Sequence, residues 1–208
     1  MIDAFVFLYK VLVNPKRAFR ESREKKIIYP TFVYLAVFGF VSYAYFVSSF
    51  NFILPQFLNS LPDEFRQIFS SFGNVEYFRS PVLILIFICF PIFVTFISAS
   101  IYDLIAQSLW KISNGTSLFV NLSFASVPNL LSRLLAITIL ILGKTQIPAL
   151  LSFIFFVWDI TLYIVAIRET YDIGTGKAFL LIVIPFLVAV ILLSLYLAFF
   201  INFLSLTG

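Results

Sequence analysis

Three ionisable residues stand inside otherwise apolar stretches of this 208-residue chain: Asp103, Arg133 and Asp159. Charged side chains are costly in lipid, so they face a protein interior or water and find partners there. Arg133 lies about nine residues before the outer end of its expected span, and Asp159 about ten residues after the outer start of its own. Helical rise then puts both about 14–16 Å deep, at the same level. A pair between them follows. Its two chemical readings are a solute or proton path and a helix-packing ion pair; the few polar residues nearby favour the packing pair. Asp103 sits nearer the inner face, within reach of water.

The catalytic patterns are incomplete. The chain has no histidine, which removes Ser-His-Asp and Cys-His catalysis and every His-based metal site. Its single cysteine, Cys89, lies in an apolar block and has no intrachain disulfide partner. Tyr102-Asp103 and Tyr171-Asp172 match the Tyr-Asp half of intramembrane aspartyl proteases, whose chemistry needs two carboxylates sharing one site. The companion Gly-x-Gly-Asp is absent, because Gly174-Thr175-Gly176 is followed by Lys177. The same Gly-x-Gly-Lys falls short of a phosphate-binding loop, with Tyr171 where a glycine is needed and Ala178 where Ser or Thr is needed. A turn opening the last span accounts for these glycines. The expectation is a protein that is not an enzyme and takes no metal or cofactor.

The elements that hold these residues are set by hydrophobicity. The chain is 62% hydrophobic and 12% charged, with a mean hydropathy of +1.05. Globular domains are roughly half apolar and about a quarter charged. Segments 27–54 and 178–208 contain no charged side chain, and about 20 such residues span a bilayer core. Phenylalanine, as good a lipid-facing residue as leucine, occurs 28 times. The composition predicts an all-α integral membrane protein, with five transmembrane helices over residues 27–208 and interfacial helices over 1–26.

Residues 2–13 are apolar but too short to span. Asn14 as N-cap and Pro15 at the first helical position then open a basic helix. Its Lys16, Arg17, Arg20, Arg23, Lys25 and Lys26 are candidate contacts for anionic lipid headgroups. The spans are expected at about 27–50, 82–110, 118–142, 149–167 and 178–203, with Pro91, Pro128 and Pro185 inside them. Between the first two, 55–80 reads as the one sizeable loop. There Phe65, Ile68, Phe69 and Phe72 repeat as one face of an amphipathic surface helix.

Five spans place the termini on opposite sides. With the N-terminus inside, ten Lys and Arg fall on inner segments (10, 16, 17, 20, 23, 25, 26, 111, 168, 177) and three on outer ones (66, 79, 144). The positive-inside rule then gives a cytoplasmic N-terminus. The sequons at Asn114 and Asn121 fall inside or within the membrane and read as chance.

The order of elements carries a resemblance. Val13-Asn14-Pro15-Lys16-Arg17-Ala18-Phe19 precedes the spans. Asn114-Gly115-Thr116-Ser117-Leu118-Phe119 opens the third, with Pro128 following inside it. Trp158 to Arg168 leads into Thr170-Tyr171-Asp172-Ile173-Gly174-Thr175-Gly176-Lys177-Ala178, the most specific part. Over nearly its whole length the chain resembles the Yip (Ypt/Rab-interacting protein) membrane domain family. That resemblance implies a five-span helical domain without catalytic residues; eukaryotic members act in vesicle trafficking and contact Rab GTPases. The Asp-Leu-Tyr-x-Pro element of those members does not occur in these 208 residues. The expected function is a multi-pass scaffold that organises membrane or partners. Its partners would be the bilayer, anionic lipids, and other membrane proteins or copies of itself, not nucleic acid. The alternative is a small-solute transporter or channel using Arg133 and Asp159.

Overall fold

The computed structural model describes the backbone of residues 2–24, 27–62, 80–142 and 149–207, and side chains within 6–23, 27–51, 55, 57–62, 80–142 and 150–200. The described residues form eight helices: α1 Ile2–Val13, α2 Pro15–Glu24, α3 Ile28–Ser60, α4 Pro81–Trp110, α5 Gly115–Ala125, α6 Val127–Ile141, α7 Ala149–Tyr171 and α8 Thr175–Thr207. Five segments are long and apolar enough to cross a membrane: Ile28–Asn51, Pro81–Trp110, Gly115–Ile141, Leu150–Tyr171 and Thr175–Phe200. The all-α, five-span membrane architecture is therefore present.

Local chemistry sets most boundaries. Asn14 accepts from the Arg17 backbone N–H at 3.3 Å through its side chain, with Pro15 first in α2, as the sequence predicts. Ser80 caps α4 through a 3.3 Å bond from the Val82 N–H, with Pro81 at the first position. Lys111, at φ 59°, ends α4 in the left-handed conformation. The third span breaks at Ser126, and Pro128 sits in the first turn of α6, where its missing N–H does no harm.

Some boundaries move. Pro55 lies inside α3, which continues past the expected end near Phe50 to Ser60. α7 continues through Arg168, expected in a loop, to Tyr171. The turn before α8 uses Asp172 at φ 54° for its left-handed residue, while Gly176 lies inside the helix. Asp tolerates that region through its short polar side chain. The amphipathic helix expected around residues 65–72 lies outside the described residues.

The core is built around α5. Leu118 through Ala125 are all buried, and α1, α2, α3, α4 and α7 all pack on this helix. Phe124 meets Phe7 edge-on at 4.7 Å and stacks with Tyr34 at 4.9 Å. α1 and α2 belong to this core: Val11, Ala18 and Phe19 are fully buried. α4 and α8 instead expose long apolar faces, as lipid-facing helices must.

Candidate functional site

Asp103 is an anchor near the end of the bundle that carries α1 and α2. Its Oδ1 accepts from the Tyr171 hydroxyl at 2.6 Å and the Asn114 N–H at 2.8 Å. Its Oδ2 accepts from Ser113 at 2.8 Å and Gln107 at 2.9 Å. The carboxylate thus ties α4, the 111–114 turn and the end of α7 together. Gly115 makes room for it, since a Cβ there would sit 3.2 Å from Oδ2. The two Tyr-Asp pairs of the sequence meet as one hydrogen bond, Tyr171 to Asp103, while Asp172 is exposed. With four donors already placed, this carboxylate has no free geometry for a second carboxylate or a water nucleophile.

A second polar cluster fixes the N-terminal helices. Asn121 is fully buried at 0% exposure. It donates to Thr170 Oγ1 at 2.8 Å and to the Phe19 carbonyl at 3.2 Å, and accepts from Ser22. One amide therefore joins α2, α5 and α7, and the Asn121 sequon is closed to any sugar. Beside it Glu169, only 5% exposed, holds two arginines: Arg20 at 2.9 Å and Arg168 at 2.6 Å. In the sequence Asn121 stood inside an apolar run and Glu169 in the polar stretch that follows Ile167; Thr170, Ser22 and Phe19, which meet Asn121, and Arg20, which meets Glu169, are 49 to 149 residues away.

The six candidate headgroup cations therefore divide. Arg20 is committed to Glu169 while staying 64% exposed. Arg17 bonds Glu21 at 2.9 Å, and Lys10 bonds the same carboxylate at 2.6 Å. The Lys10 bond, then the Arg17 bond, holds the Glu21 carboxyl below the usual carboxylate range. A lowered folded pKa means this link is present at neutral pH and is lost as the pH falls through that value. Lys16 and Arg23 are exposed. Lys25 and Lys26 lie outside the described residues.

Arg133 and Asp159 do not form the expected ion pair. Arg133 Nε donates to Asn129 Oδ1, one turn earlier on α6, at 2.9 Å. Its guanidinium carbon lies 5.0 Å from the centre of the Phe38 ring. It faces a cavity of about 410 Å³ with Ser42, Tyr45, Ser49, Ser132 and Asn129 on its polar side and Phe46, Phe87 and Ala136 on its apolar side. Asp159 faces a separate cavity of about 180 Å³ with Asn129, Ser132 and Ser152, and its Oδ1 is buried without a hydrogen-bond partner. Helix rotation turns the two groups into different cavities, which share Asn129 and Ser132 on α6. A further groove of about 740 Å³ runs along α4 between Cys89 and Leu104, lined by Phe32, Phe93, Phe96 and Phe119. Its polar end is Asp103, whose hydrogen bonds are already made.

Residues 9–197 match the model of the Yip1 domain family. No curated protein and no solved structure matches the chain.

Proposed function

This chain belongs to the Yip1 domain family, and from that premise we propose that it is a non-enzymatic membrane scaffold of the trafficking type. It presents a fixed basic surface to the anionic lipid of one leaflet. The carrying observation is that α2 is locked to the bundle by Asn121 and Glu169, so that Lys16 and Arg23 project from a defined place. A solvated tail would hold no such geometry. Each basic side chain near an anionic surface contributes about 1 kcal/mol. In nanodiscs of mixed neutral and anionic lipid, the Lys16→Gln/Arg23→Gln variant should show clearly less anionic-lipid enrichment around the protein at low salt, and the difference should fade as salt rises. Equal enrichment in the two proteins would remove the basic surface from this reading.

The α1/α2 end is assigned to the cytoplasm, on the ten-to-three distribution of Lys and Arg. A cysteine introduced at Lys111 should then react from the cytoplasmic side and one at Ser60 from the opposite side, in a Cys89→Ala background. The reverse pattern would invert the assignment. Partners in this reading are other membrane proteins or further copies of the chain, facing the exposed α4 and α8.

A second reading, passage of a small solute past Arg133 and Asp159, draws on the two polar cavities at those residues. Against it stands the apolar core between them and the α1/α2 end, where Tyr34, Leu35, Phe38, Val127 and Leu130 are buried.

A further inference from the structure

We propose that the cavity at Arg133 is a binding site for a phosphate-class oxyanion. The inference does not depend on the scaffold reading. An arginine keeps its charge in any environment a protein offers, and its planar fork matches phosphate oxygens. Within a membrane such a charge needs a partner. Here Nε bonds the neutral Asn129 and the Phe38 ring covers one side. No Asp or Glu oxygen of the described residues lies within ion-pair distance of Arg133, Asp159 being turned into the neighbouring cavity. The two terminal nitrogens therefore bring a full charge and unused donors to the cavity.

The cavity suits an anion in its other walls. Ser49, Tyr45 and Ser132 add hydroxyls that can donate to oxyanion oxygens. Its volume of about 410 Å³ falls in the range of small-molecule sites, about 300–1,000 Å³, and is large for a bare halide. Ser49 lies in the second half of α3, toward Ser60, and Ser42 and Tyr45 line the same cavity from the turns before it. From Ser49 to Ser42 the wall descends about 10 Å along α3. Phe38, one turn before Ser42, stacks its ring against the guanidinium. A charged fork beside the hydroxyls of Ser42, Tyr45, Ser49 and Ser132, in a cavity otherwise walled by Phe46, Phe87 and Ala136, can hold a ligand of this class.

The phosphate can be a free anion or the headgroup of a lipid in the adjoining leaflet, and the test separates the two. The full chain, purified in a maltoside detergent without phosphate, is heated in the presence of inorganic phosphate, of acetate, of chloride at matched ionic strength, or of phosphatidic acid in mixed micelles. Inorganic phosphate, phosphatidic acid or both should give a saturable rise in Tm of several degrees, beyond chloride and acetate. A rise with phosphatidic acid alone identifies the lipid headgroup as the source. Arg133→Gln should weaken the apparent affinity about 30-fold or more. Ser49→Trp, which leaves Arg133 in place and fills the cavity from its wall, should abolish the response to free phosphate while the protein unfolds near the unliganded wild-type Tm. No response to either phosphate source, an equal response to acetate, or an undiminished response in folded Arg133→Gln would overturn the proposal.

Discussion

Asp103→Ala should lower the stability of the bundle by about 2–4 kcal/mol, the loss that follows when buried donors are left without an acceptor. Two of its four donors matter most. The Tyr171 hydroxyl is buried with the carboxylate, and the Asn114 N–H belongs to the turn that starts α5. Ser113 and Gln107 are exposed and regain water when the carboxylate goes. Tyr171→Phe removes a single bond and should lose about 1 kcal/mol. Asp103→Asn keeps an acceptor for Tyr171 and Asn114 but turns a donor toward Gln107, and should fall between the two. Thermal unfolding of the four proteins in one detergent gives the order directly. A wild-type Tm for Asp103→Ala would mean that the cluster holds nothing together.

Gly39→Leu should separate α3 from α4 and prevent assembly of a native bundle. A Cβ at Gly39 would stand 2.7 Å from the Ile88 Cα and closer still to the Phe87 carbonyl oxygen, both backbone atoms of α4. Backbone cannot swing aside as a side-chain tip can, so the helices must move apart. In lipid, van der Waals contact between close backbones is a main force for helix association, and small residues permit it. Even Gly39→Ala should cost about 1–3 kcal/mol, as overpacking does in cores. Gly176→Ala is the control, because nothing lies within 4 Å of a Cβ there. It should be neutral or slightly stabilising, through a less flexible unfolded chain. Unfolding curves for the three variants, read with the yield of folded monomer on size exclusion, check the contrast. A normal yield for Gly39→Leu would refute the close α3–α4 approach.

What the sequence by itself determined is the class of the protein and the run of its elements. Blocks of about 20 or more uncharged residues have one stable environment, so 27–54 and 178–208 were legible as spans on that ground alone, and the apolar blocks around Asp103, Arg133 and Asp159 made up the five. Asn14-Pro15 marked α2 because capping is a local interaction, complete within four residues. The ordered short motifs carried the Yip family, which the match over residues 9–197 bears out.

Rotation about a helix axis was not legible, and the tertiary structure decided it. Spans that are apolar all round carry little moment to say which face turns inward. Arg133 and Asp159 therefore face different cavities instead of each other. The same lack of an amphipathic signal hid Asn121, whose partners are 49 and 102 residues away at Thr170 and Phe19. It also hid the choice of Tyr171 as the partner of Asp103. Gly39 was indistinguishable from any glycine in an apolar run until the backbone of α4 stood against it. Arg20, a headgroup candidate by its charge alone, became a tether only when α7 placed Glu169 opposite. A bilayer selects for apolar length, which is written along the chain; which polar groups meet inside is set by how the helices turn against one another.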